Sequence, residues 1–175
     1  MKPTVHLQGN SSTATKTLWL FPAGSGLATS YLALLDIDPD HVGVYGLNSP
    51  FVKQTEIVGK YCFEDLTAAY LTEMHRWQPN GPYLVGGWSA GGICAYNAAQ
   101  KLIADGQDVE GLILLDSPNP IGLEKLSPRL YDEFNRLNLF ALALVAAGRN
   151  PPSWLLLHFM GFSNILYTYS PRPWE

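Results

Sequence analysis

Gly87-Trp88-Ser89-Ala90-Gly91 sets one serine between two glycines in the spacing Gly-x-Ser-x-Gly. That spacing suits a strand turning sharply into a helix, which lifts the hydroxyl out of the chain so that it can attack an acyl carbon. The pattern alone recurs by chance in about one chain in twenty of this length, given usual glycine and serine frequencies, so context decides. Before it, Tyr83-Leu84-Val85-Gly86-Gly87 reads as a short buried strand; after it, Ile93 to Ala104 reads as a helix stopped by Gly106. A serine at that junction has a helix N-terminus aimed at any oxyanion formed beside it.

Acyl transfer by a serine needs two donors where the tetrahedral oxyanion forms, and stabilising that charge is usually the largest catalytic contribution. The backbone N–H of Ala90 is one candidate. Gly24, in the loop Ala23-Gly24-Ser25-Gly26 after an earlier strand, is the other; the alternative for that loop is a tight turn feeding a helix. Asp116 closes the run Leu112-Ile113-Leu114-Leu115, which puts its carboxylate at the carboxyl edge of the sheet, where open α/β sheets bind ligands. There it can hold a histidine in the required tautomer, or cap the turn at Ser117-Pro118.

Four histidines are available. His6 precedes the sheet, His41 stands in a turn beside Asp40, and His75 flanks Arg76 on a helix ahead of the serine, so these three read as surface residues. His158 alone follows both Ser89 and Asp116, the chain order of α/β hydrolases. It lies in an apolar segment, where a histidine more often packs and satisfies one hydrogen bond. Packing residue and catalytic base both stay open for it.

The elements that must position these residues alternate. Thr17 to Phe21 reads as a strand, Thr29 to Leu35 as a helical pattern, Val42 to Leu47 as a strand, Phe63 to Trp77 as a helix, and Leu112 to Leu115 as a buried strand. Apolar strands alternating with helices predict an α/β fold with a mostly parallel sheet covered on both faces. From Asp116 onward, prolines at 118, 120, 128, 151, 152, 171 and 173 punctuate shorter segments. Two of these, Leu139 to Ala147 and Trp154 to Phe162, predict helices over the strand ends. The expected division is a core over 17–116 and a lid over 117–175, with a chamber lined by Phe140, Leu142, Leu144, Trp154, Phe159 and Phe162.

Composition narrows the classes. A chain of 175 residues suits one domain, and 47% apolar with 15% charged residues suits a packed core. Net charge is −4 and no basic cluster stands out, which argues against nucleic-acid binding. The longest apolar run, Leu139 to Ala147, is about half the roughly 20 residues of a spanning helix, so no membrane span is expected. Polar residues follow Lys2 where a signal peptide would be apolar, so a cytoplasmic location is expected. Cys62 and Cys94 read as reduced thiols. Asp36-Ile37-Asp38-Pro39-Asp40 fails as a calcium loop, having His41 at position six and Leu47 at position twelve. The glycine loop matches no phosphate-binding motif; neither metal nor bound cofactor is expected.

Leu18-Trp19-Leu20-Phe21-Pro22, Tyr45-Gly46-Leu47-Asn48-Ser49-Pro50, Gly81-Pro82-Tyr83, Gly86-Gly87-Trp88-Ser89-Ala90-Gly91-Gly92, Leu115-Asp116-Ser117-Pro118 and Pro120-Ile121-Gly122-Leu123 together resemble a known family. It comprises the type I thioesterase and Claisen-cyclase domains at the C-terminal end of fungal non-reducing polyketide synthases. The resemblance implies an α/β-hydrolase fold with a helical lid, Ser89 as nucleophile, Asp116 as triad acid, and the loop from Ala23 with Ala90 as oxyanion hole. Relatives often have Asp where this chain has Ala23, a change that backbone donors tolerate. The implied substrate is a polyketide on the phosphopantetheine arm of an acyl carrier protein, released by hydrolysis or by Claisen-type cyclisation. The family's histidine lies well over a hundred residues beyond the serine, whereas 86 residues follow Ser89 here (175 − 89). The expectation is therefore a C-terminal truncation, with the final strands and the histidine loop missing. Two other functions stay open: a free-standing serine esterase, and a silent acyl- or carrier-binding remnant without the triad histidine.

Overall fold

The computed structural model describes residues 1–52, 54, 60–137, 152 and 154–173. Five strands form one sheet: β1 (Thr4–Gln8), β2 (Lys16–Phe21), β3 (Val42–Leu47), β4 (Tyr83–Trp88) and β5 (Val109–Leu115). Their order is β1-β3-β2-β4-β5. β1 runs antiparallel to β3, and every other pairing is parallel. Four α-helices are described: α1 (Phe63–Trp77), α2 (Ala90–Ala104), α3 (Pro128–Arg136) and α4 (Trp154–Leu166).

Strand β2 is central and buried on both faces. Trp19 and Phe21 point into the main core with Phe63, Leu66, Tyr70 and Met74 of α1 and Ile93, Ala98 and Leu102 of α2. Leu18 and Leu20 point the other way, into a smaller cluster with Tyr31 and Val44. This alternation follows the two-residue period of a strand. The β2–β3 crossover covers the Leu18 face and the later crossovers cover the Trp19 face, so the winding reverses between β2 and β4. Such a reversal opens a crevice at the carboxyl ends of the two strands.

Helix α1 forms where its apolar spacing predicts, and Phe63, Leu66, Tyr70, Leu71 and Met74 are all buried. Cys62 caps it through a reciprocal box with Asp65, and Glu64 and Asp65 favour its positive N-terminus. Small buried residues of α2, Ala95, Ala98 and Ala99, let that helix lie close on the sheet.

Several expectations need correction. Thr29 to Leu35 is not a helix: a single 3-10 turn covers Ala28–Tyr31, and Leu32 and Leu35 are 67% and 87% exposed, so no apolar stripe is buried there. β5 is not a buried strand: among the described residues it is the sheet edge, with Ile113 36% and Leu114 50% exposed. His75 is not a surface residue; its ring packs edge-on against Tyr83 and its Nε2 is buried. β1 lies in a stretch read as merely polar, and Thr4, which is buried, donates to Glu73 from within it. Helix α3 has no counterpart among the expected elements, while α4 matches the second apolar segment. The first of those segments, Leu139 to Ala147, lies outside the described residues, and with it Phe140, Leu142 and Leu144.

Candidate active site

Ser89 stands between β4 and α2 with φ 54° and ψ −129°. A non-glycine residue at positive φ is strained, and such strain persists only where surrounding structure fixes it. Close packing does so here. A Cβ on Gly87 would lie 2.2 Å from the Gly91 carbonyl carbon, and one on Gly91 would lie 2.3 Å from the Phe21 carbonyl oxygen. The two glycines of the motif thus let strand, turn and helix pass within contact of one another. The Ser89 carbonyl accepts bonds from Gly92 N–H (3.0 Å) and the Ser117 hydroxyl (3.0 Å). Its own N–H donates to Leu115 O at 2.9 Å. The N–H of Ala90 falls in the first turn of α2, where helical N–H groups have no carbonyl within the helix.

Asp116 follows directly from β5. Pairing of Trp88 with Leu115 places Ser89 and Asp116 next to each other along the carboxyl edge of adjacent strands. Asp116 also has a positive φ of 45° and is exposed.

The loop after β2 is held through its carbonyls. Ala23 O accepts from Gly26 N–H (2.8 Å), Gly26 O from Ser49 N–H (2.8 Å), and Gly24 O faces His158 Nδ1 at 3.2 Å. Because peptide N–H and C=O groups point in opposite directions, the Gly24 N–H is directed away from the carbonyl of Ala23 that closes the turn. Phe159 lies where a Gly24 side chain would be, its ring 2.6 Å from that Cβ position, and the His158 ring fills the corresponding space at Gly26, which has φ 73°.

His158 is fully buried. Its Nε2 lies 2.9 Å from Ser49 Oγ and its Nδ1 on Gly24 O. A carbonyl can only accept, so Nδ1 carries the proton and Nε2 accepts from the Ser49 hydroxyl. Burial pushes its pKa down, while the bond to Gly24 O raises it. Both ring nitrogens are therefore engaged away from Ser89. The other histidines stand elsewhere: His6 on Tyr45, His41 with Asp38 at 2.8 Å, His75 on Tyr83.

Of the lid residues, Trp154 is half-buried at the start of α4, and Phe159 meets Tyr131 and Phe134 of α3 edge-on at 6.2 Å. Phe162 is fully buried in the main core, stacked on His158 at 5.9 Å rather than facing open space. Two residues that sequence reasoning missed converge on the loops. Tyr31 accepts from Trp88 N–H and donates to Phe21 O. Ser49 anchors both Gly26 and His158. Their signal was only position, Tyr31 after the glycine loop and Ser49 after the third strand. Among the described residues no His, Cys, Asp or Glu cluster could hold a metal ion, and no helix is long and apolar enough to cross a membrane.

Comparison with known proteins places this geometry. Residues 16–147 match the family described as "Thioesterase domain". The chain is 56% identical over 172 residues to the non-reducing polyketide synthase ustP of Ustilaginoidea virens, covering 98% of this chain and 8% of that protein. It is 53% identical over 175 residues to the conidial yellow pigment biosynthesis polyketide synthase melA of Penicillium expansum, again covering 98% of this chain and 8% of the relative. The chain thus spans about a twelfth of these curated relatives. Among solved structures, the NocB thioesterase domain in covalent complex with a fluorophosphonate nocardicin G analog superposes with a TM-score of 0.75 at 26% identity, covering 96% of this chain and 72% of that one. The RedJ thioesterase of Streptomyces coelicolor, at 16% identity and a TM-score of 0.74, shares the fold and is covered over 68% of its length. A strand–serine–helix junction at the crevice of an α/β-hydrolase sheet agrees with this match, and the chain belongs to the thioesterase domain family.

Proposed function

We propose that the chain forms the thioesterase domain that takes a polyketide from an acyl carrier protein onto Ser89 and releases it. The observation that carries this reading is the strained Ser89 at the β4–α2 junction, beside the first turn of α2 and across the crevice from the loop after β2. In the proposed step the Ser89 hydroxyl attacks the thioester carbonyl, and its proton passes to a base. The oxyanion is met by the N–H groups of Ala90 and Gly24. Collapse expels the phosphopantetheine thiol and leaves an acyl-serine ester. Asp116 is the acid that would orient a histidine base. Release then follows by water, or by a carbanion of the bound chain closing a ring. Similarity to fungal polyketide synthases, three of them described as pigment synthases, supports a polyketide substrate. The apolar Phe159 ring against Gly24, on the same helix as the half-buried Trp154, supports exclusion of water, which favours cyclisation. No cofactor of the chain's own is needed; the arm arrives with the carrier protein.

The test is incubation with an acyl N-acetylcysteamine thioester followed by intact-mass measurement. A covalent acyl adduct that Ser89→Ala abolishes is the expected result; thiol release at an equal rate from Ser89→Ala would refute it. One observation favours a second reading. His158 gives both nitrogens to Gly24 and Ser49, so a chain that binds the acyl carrier substrate without turning it over would show substrate binding and no adduct.

A further inference from the structure

Tyr31 closes the 3-10 turn after the glycine loop and is fully enclosed in the smaller core cluster with Leu18, Leu20 and Val44. Its hydroxyl, however, reaches through to the ends of two strands. Parallel pairing of β2 with β4 ends at Phe21 with Gly87. There the Tyr31 hydroxyl bonds both strand ends: Trp88 N–H donates to the Tyr31 oxygen at 2.8 Å, and the Tyr31 hydroxyl donates to Phe21 O. One side-chain oxygen thus ties β2 to β4 at the point where the winding of the sheet reverses. One residue beyond Trp88 is Ser89, and one beyond Phe21 begins the loop that carries Gly24. The same Phe21 carbonyl is the atom that a Gly91 side chain would strike, so the first turn of α2 rests on it too.

We propose that Tyr31 is a positioning residue for acyl transfer, its hydroxyl a bridge that fixes the ends of β2 and β4 against each other and hence the two oxyanion donors. The inference rests on Ser89 being the nucleophile. Without the hydroxyl, the bonds that tie Trp88 N–H and Phe21 O to Tyr31 are lost, and the Gly24 loop shifts relative to Ala90. Burial pushes the phenol up to about 12, so it keeps its proton and the bridge throughout the neutral range. A donor misplaced by about 1 Å can cost on the order of a hundredfold in rate.

The experiment compares wild type with Tyr31→Phe, which keeps the ring in its packing site. Fluorophosphonate labelling of Ser89 is followed as a function of probe concentration, beside the amide resonances of residues 23–26 and 88–91. The expected result is a maximal labelling rate at least about tenfold lower, an unchanged half-saturating concentration, and joint shifts of both amide groups while those of α1 stay put. Replacement of Tyr31 by 4-aminophenylalanine, whose amine can donate to Phe21 O, should recover part of the rate. It also serves where Tyr31→Phe fails to fold. Labelling at the wild-type rate, or unshifted amides, would overturn the proposal. If wild type itself is not labelled at Ser89, the nucleophile reading has failed, and the amide shifts alone judge the bridge.

Discussion

Burial holds the His158 imidazole below its ordinary value, and the bond it makes to Gly24 O works in the opposite direction without cancelling that effect. The unfolded chain therefore takes up a proton at about pH 6.5, where the folded protein resists it. Stability is fully present above that value and is lost as pH falls below it, until the folded group also protonates. Urea unfolding between about pH 8 and pH 5 should show this decline, and His158→Gln should flatten it. An equal slope in both proteins would remove His158 as its source. At the elbow, Gly91→Ala forces a methyl group onto a backbone oxygen. The expected cost is about 1–3 kcal/mol in denaturant unfolding, with loss of Ser89 reactivity beyond what that cost explains. The strand-to-helix junction at Ser89 was legible because such turns demand glycine at set offsets, and the place of Asp116 because an apolar run ends just before it. The alternatives for His158 were not decided by sequence, since a histidine's work depends on which acceptors meet its nitrogens, and Gly24 and Ser49 are over a hundred residues away in the chain.

β5 shows both what an element's sequence reveals and what it conceals. Leu112-Ile113-Leu114-Leu115 reads as a buried strand because it is continuously apolar, yet among the described residues it is the last strand of the sheet, with Ile113 and Leu114 partly open. An open apolar edge is prone to pair with another chain. Leu114→Lys should therefore lower self-association of this chain, read by sedimentation, with its circular dichroism unchanged; undiminished association would place the contact elsewhere. Val42–Leu47 and Phe63–Trp77 were legible to the residue, the first because turn-prone residues bound it on both sides and the second because its 3.6-residue period matches what it buries. β1 was not, because its inward Thr4 is a polar residue satisfied only by Glu73, a partner from a distant helix. The 29–35 segment misled for the reverse reason: its leucines have helical spacing, but Leu32 and Leu35 stand exposed while Leu34 packs, partly buried, on the smaller cluster. For α4, the proposed chamber predicts that Trp154→Ala raises the ratio of hydrolysed to cyclised product by admitting water, measured with a carrier-bound polyketide. An unchanged ratio would sever the lid from the choice of route.

Across the whole molecule, the reversal of winding between β2 and β4 explains why distant segments meet at one crevice. The loop after β2 brings Gly24, the turn after β4 brings Ser89 and Ala90, and β5 delivers Asp116 beside them. Helix α4 then locks the first of these from above through His158 and Phe159. The membership of the chain in the thioesterase family fits that convergence, and the central claim is that it makes Ser89 reactive. Intact-mass analysis after treatment with a fluorophosphonate tests this most directly. The account predicts one adduct per chain, located at Ser89, absent from Ser89→Ala and slowed but not abolished in His158→Ala. No adduct on the folded chain, or one that persists in Ser89→Ala, would contradict it.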